Sequence, residues 1–171
     1  MKIRHAALGA LLVLAASASS AGTTAALKPG DAAPPHVGTT LDGKPVLLTD
    51  FPGKVIIVSY WATWCTFCIK ELGMLDAIQT AANDHVQVLT VNIEPAYVFK
   101  KVAKKLSQLH IPLLYDPDRK GREAYGVGGI PHMIIVGKDG RIDTVNIGYS
   151  EEELDGIVTS INRAIGAVPF R

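Results

Sequence analysis

Val55-Ile56-Ile57-Val58-Ser59-Tyr60-Trp61-Ala62-Thr63-Trp64-Cys65-Thr66-Phe67-Cys68 runs from an unbroken apolar stretch into two cysteines separated by two residues. The opening four residues are β-branched and carry no charge, the pattern of a central strand covered on both faces. From Cys65 to about Ala82 the apolar positions include Cys68, Leu72, Leu75 and Ile78, spaced by three or four, which predicts a helix. The cysteine pair thus stands where a buried strand gives way to a helix. A helix N-terminus has unpaired N–H groups and a partial positive charge, and both favour a thiolate over a thiol. The thiolate is the form that attacks disulfides. One helical turn brings the second sulfur close to the first. Cys65 is then the exposed attacker, and Cys68 resolves the mixed disulfide from within.

Three blander readings compete. A structural staple closing so short a loop contributes only about 2 kcal/mol by chain entropy, and a domain of this size does not need it. Half of a structural zinc site lacks its other ligands, because the chain has only two cysteines. Two inert buried thiols would be an odd vicinal pair to keep reduced in an exported protein.

Export is the reading of the N-terminus. Lys2, Arg4 and His5 precede an apolar run from Ala6 to Ala18, and small residues follow it, the anatomy of a secretory signal peptide over residues 1–21. The run is too short for a convincing membrane span, which takes about 20 residues. Residues 22–35 are rich in Ala, Thr and Pro without a period and read as a linker or loosely attached arm. Residues 36–171 are then one domain. The chain carries 17 basic and 16 acidic residues, a balance that argues against nucleic acid or an anionic membrane as main partner.

Working outward, Asp42-Gly43 separates short strands at 37–41 and 45–48 and marks a hairpin. Residues 86–93 read as a second central strand, followed by a helix from Pro95 to about Leu109 and a short strand at 113–115. A brief helix at 119–125, a strand at 133–136, a Lys138-Asp139-Gly140 turn and a strand at 141–147 follow. The last helix is expected to start at Ser150, which with Glu153 fits a capping box. The order implies an α/β sandwich: a mixed sheet with helices on both faces, an N-terminal β-hairpin and an αβ insertion.

The segment 60–68, continuing through Ile69-Lys70-Glu71-Leu72, resembles the active site of the thioredoxin superfamily, in particular its TlpA/ResA-like exported branch. The N-terminal hairpin and Tyr125-Gly126-Val127-Gly128-Gly129-Ile130-Pro131 followed by a strand are similar to the same branch, and the likeness covers about residues 30 to 165. It implies a thioredoxin fold with an inserted αβ element and a thiol–disulfide oxidoreductase needing no cofactor or metal. It implies that Pro131 is a cis-proline whose loop, with Ile130, receives the substrate backbone. Trp64 stands beside the attacking sulfur, or else packs in the core. Glu71 assists proton transfer to the buried sulfur, or else is a solvated helix carboxylate. Ser59 replaces the buried acid of many cytoplasmic relatives, which leaves Glu71 as the nearby candidate base.

The resemblance further implies a bacterial periplasmic location, exported thiols or disulfides as substrates, and a membrane thiol donor. Clients of that branch include apocytochrome c, in cytochrome c maturation, and copper-site assembly proteins. Thr66-Phe67 lacks the proline that many relatives carry between the cysteines, so the direction of electron flow stays open. Two rivals remain. Cys65, Cys68 and His132 offer soft ligands for Cu(I), if His132 does not point away as a strand residue. A thiol peroxidase would need a different polar shell around its cysteine. Lys100, Lys101, Lys104 and Lys105 form a basic helix face, solvated or a docking patch for an acidic partner.

Overall fold

In the computed structural model, which describes residues 26–166, the chain runs β1 (His36–Thr39), β2 (Pro45–Leu47), β3 (Val55–Trp61), α1 (Thr66–Ala82) and β4 (Val86–Asn92). It continues α2 (Ala96–Lys105), β5 (Leu113–Tyr115), α3 (Lys120–Ala124), β6 (His132–Val136), β7 (Ile142–Ile147) and α4 (Leu154–Ile165). The expected leader, residues 1–21, lies outside the described residues. Among the described residues, seven strands join one sheet in the order β2-β1-β5-β4-β3-β6-β7. Neighbours β3/β4 and β4/β5 are parallel, and the other pairings are antiparallel.

The apolar run 55–58 lies in the interior strand β3, which is buried over its whole length. Val55, Ile57 and Trp61 point into one core cluster, and Ile56, Val58 and Tyr60 into the other. The first cluster takes the inner stripe of α1 (Cys68, Leu72, Leu75, Ile78), that of α4 (Ile157, Ile161, Ile165) and Val102 of α2. The crossovers β3-α1-β4 and β4-α2-β5 join parallel strands in one direction across the sheet. The right-handed rule then puts both helices on one face. The opposite face is covered by α3 and by Leu27, Ala33, Leu48 and Phe51. Helices therefore lie on both faces of a mixed sheet, with the hairpin β1/β2 and the α2–β5 insertion in the expected places.

Three details differ from the sequence reading. Residues 30–33, read as part of a linker, are fastened to β7: Gly30 N–H donates to Ile142 O at 2.8 Å, Ile142 N–H to Asp31 O at 2.9 Å, and Ala33 N–H to Gly140 O at 3.0 Å. Helix α2 stops at Lys105 rather than near Leu109. Asp76 on α1 accepts the His110 N–H at 2.6 Å, and Pro112 disfavours helix at the residue before it, so the chain must turn. Ser150 caps a 3-10 turn, Glu151–Glu153, by accepting the Glu152 N–H at 3.2 Å, and α4 proper starts only at Leu154.

Gly121 shows how closely α3 meets the sheet. A Cβ there would lie 2.5 Å from Val37 O and 2.8 Å from Tyr60 Oη. It would also wedge apart the 3.0 Å hydrogen bond that Tyr60 Oη donates to Val37 O. Overpacking combined with a lost buried bond should make Gly121→Ala about 3 kcal/mol less stable. A urea unfolding midpoint unchanged from the parent would contradict this packing.

Candidate active site

Cys65 is the N-cap of α1, and its Sγ accepts a hydrogen bond from the Cys68 backbone N–H at 3.1 Å. The two sulfurs are joined as a disulfide, with Cα atoms 5.2 Å apart. Cys65 keeps 8 % of its surface exposed and Cys68 none, so only the first sulfur can be met by a partner. The Cys68 N–H and the positive end of the helix beside Cys65 are the surroundings that favour a thiolate. Cys68 has neither advantage. It lies in the first core cluster with Leu72, Leu75 and Met133.

Glu71 follows one helical turn after Cys68, on the same side of α1. It is 1 % exposed, which rules out a solvated carboxylate. Ser59 Oγ on β3 donates to Glu71 Oε2 at 2.5 Å. Burial pushes the Glu71 carboxyl from its ordinary 4.5 up to about 7, with the Ser59 bond pulling the other way. A buried group poised near neutrality, one turn from the buried sulfur, can hold or release a proton there. Ser59 is no base itself, and its hydroxyl fixes one oxygen of the Glu71 carboxyl.

The loop between β3 and α1 is held by residues that the sequence reading passed over. Glu94 Oε2 accepts the Thr63 N–H at 2.6 Å, and Oε1 accepts the Thr63 hydroxyl at 2.9 Å. Asn92 Nδ2 donates to the same carboxylate at 3.1 Å, and Asn92 Oδ1 accepts the Glu94 N–H at 2.9 Å. This clamp sits at the carboxyl end of β4, beside the end of β3. Ligands of open α/β sheets gather at the carboxyl ends of strands, the end of the sheet at which this clamp lies.

The remaining expected residues separate. Trp64 is 70 % exposed, so it does not pack in the core. The Ile130–Pro131 peptide is cis, and Ile130 packs against the cluster that holds both cysteines. His132 follows on β6 opposite Tyr60 of β3, whose side chain enters the other cluster. Cross-strand partners share a sheet face, so His132 points away from the cysteines. It is buried, and burial lowers its pKa and favours the neutral ring. The proposed copper ligand set of Cys65, Cys68 and His132 is therefore divided by the sheet. No group of three or more His, Cys, Asp or Glu suited to a metal occurs among the described residues.

A disulfide between a helix-capping cysteine and a buried one, set on this sheet, is the site of a thiol–disulfide oxidoreductase of the thioredoxin fold. Residues 29–145 match the AhpC/TSA family, and the chain belongs to it. The chain is 30% identical over 126 residues to the thiol-disulfide oxidoreductase ResA of Geobacillus thermodenitrificans, covering 72% of each chain. Among solved structures it resembles a DsbE-type thiol:disulfide interchange protein of Chlorobium tepidum, with TM-score 0.74, 25% identity and 82% of this chain and 100% of that one covered. It also resembles the exposed lipoprotein thioredoxin Etrx1 of Streptococcus pneumoniae, with TM-score 0.64, 32% identity and coverage of 72% and 95%.

Proposed function

We propose that this oxidoreductase works outside the cytoplasm as a reductant of disulfides in exported proteins, in the bacterial periplasm, after loss of residues 1–21. The observation that carries the reading is the asymmetry of the pair: an accessible sulfur held by a helix N–H, and a buried one beside Glu71. In the reduced protein the Cys65 thiolate attacks a client disulfide. A Cys65–client disulfide forms and one client sulfur leaves as thiolate. Cys68 then passes its proton to Glu71 and attacks Cys65 Sγ. The Cys65–Cys68 disulfide forms, and the second client sulfur leaves and is protonated. Two electrons have passed to the client. A membrane thiol donor restores the dithiol.

Trp64 and the Ile130-Pro131 loop are the surfaces offered to the client backbone. The relatives, an exposed lipoprotein among them, support a place outside the cytoplasm. No helix among the described residues is long and apolar enough to cross a membrane. The family resemblance supports apocytochrome c or a copper-site assembly protein as client.

The deciding experiment is the reduction potential of the Cys65–Cys68 pair. A value near −270 mV, that of thioredoxin, is expected. A value near −120 mV, that of a strong oxidant, would reverse the proposed direction.

A further inference from the structure

Resting on the reading above, we propose that the groove between the Thr63 loop and α2 is the docking site for an acidic, extended segment beside the client's disulfide. The groove holds about 240 Å³ and is lined by Thr63, Tyr97, Val98, Lys101, Val102 and Lys105. That is below the roughly 300–1,000 Å³ of small-molecule pockets, and it is open to the surface, which suits a length of chain better than an enclosed ligand. Consecutive Cα atoms are about 3.8 Å apart, so the Cα of Thr63 is at most about 7.6 Å from that of Cys65. A segment lying in the groove therefore enters the reach of the attacking sulfur.

Charge decides what the segment is. Helix α2 carries Lys100, Lys101, Lys104 and Lys105 and no acidic residue. None of the four has a carboxylate partner among the described residues. Tyr97, Lys101 and Lys105 recur every fourth residue and so share the stripe that forms the groove wall. The nearby Glu94 carboxylate is taken up by the Thr63 and Asn92 donors. On α1, Lys70 just past the cysteines pairs with Glu151 at 3.8 Å, at the head of the run Glu151, Glu152, Glu153 and Asp155. The active-site mouth is thus basic toward α2 and acidic toward α4. An acidic segment is drawn to one side and repelled from the other, which gives the client a direction as well as a place. Exposed Tyr97 (68 %) adds aromatic surface beside the lysines of the groove.

The test uses two synthetic cyclic peptide disulfides that differ only in flanking residues, Asp/Glu in one and Lys in the other. Reduced protein is mixed with each, and disulfide exchange is followed by quenching and thiol labelling. The acidic peptide should react about tenfold faster at low ionic strength, as electrostatic steering allows. The difference should vanish near 1 M salt, where the screening length is about 3 Å. The double variant Lys101→Glu, Lys105→Glu should invert the order of the two peptides. Equal rates at low salt, or a preference that survives the double variant, would overturn the groove. So would lysine-dependent flotation with anionic lipid vesicles in the absence of any peptide preference, which would make α2 a membrane face. An uncharged disulfide, 2-hydroxyethyl disulfide, reads the exchange chemistry separately. If it too fails to react, the oxidoreductase reading falls rather than the groove alone.

Discussion

Cys65→Ser should abolish disulfide exchange, and Cys68→Ser should leave a protein that still attacks and then stays attached. The structure makes the two substitutions unequal. Cys65 holds the accessible sulfur and receives the Cys68 N–H at the helix start. A serine hydroxyl there is no nucleophile toward a disulfide at neutral pH, so turnover in an insulin-reduction assay should drop to the uncatalysed rate. Cys68 is fully buried and cannot reach a client. Replacing it removes only the second displacement, so Cys65-linked mixed disulfides should accumulate and show on non-reducing gels. Wild-type turnover by Cys65→Ser would refute the mechanism outright.

Glu71→Gln should stabilise the oxidised protein at alkaline pH and slow its chemistry. The folded state keeps a proton on Glu71 up to about pH 7, whereas the ordinary value is 4.5. Between those values the native protein binds more protons than the unfolded chain, so its stability falls as pH rises. The contribution is fully present below about pH 4.5 and lost once pH passes about 7, a swing of about 3 kcal/mol. Glutamine is neutral throughout and can still accept the Ser59 hydroxyl. Its urea denaturation should therefore match the parent near pH 4 and exceed it by up to about 3 kcal/mol at pH 8. The same variant has no carboxylate to take the Cys68 proton, so its mixed disulfides should persist longer. Parallel pH–stability curves for parent and variant would remove Glu71 from this role.

Much of this was legible because local pattern and tertiary need agree. The run 55–58 has no polar face, and β3 has no exposed one. The α1 stripe was readable from its three- and four-residue spacing. The same spacing places Glu71 one turn before Leu75, but whether a carboxylate there is buried or solvated is decided by the packing of α1 on β3, where Ser59 meets it. Other features depend on partners far along the chain. The Glu94–Thr63 clamp joins residues 31 apart, and nothing in either segment alone announces the other. The facing of His132 depends on its register against Tyr60, which a sequence does not print. Helix α2 ends before its periodicity does: Leu106 and Leu109 keep the spacing and, half-buried, still pack on the core. A hydrogen bond from His110 to Asp76 on another helix stops the coil there.

The arm at residues 30–33 has a consequence for how these molecules meet one another. Strand β7 is the last in the sheet, and a bare outer strand offers its row of N–H and C=O groups to any other strand. The arm takes both backbone groups of Ile142, and Arg141, just before β7, donates through its guanidinium to Gly30 O at 2.8 Å. The far end of the strand is shorter prey: Ile147 lies at its tip, and Gly148 turns the chain away at φ +99°. What composition presents as slack chain is a guard rail, and at this end of β7 it occupies the backbone groups that another strand would need for edge-to-edge pairing.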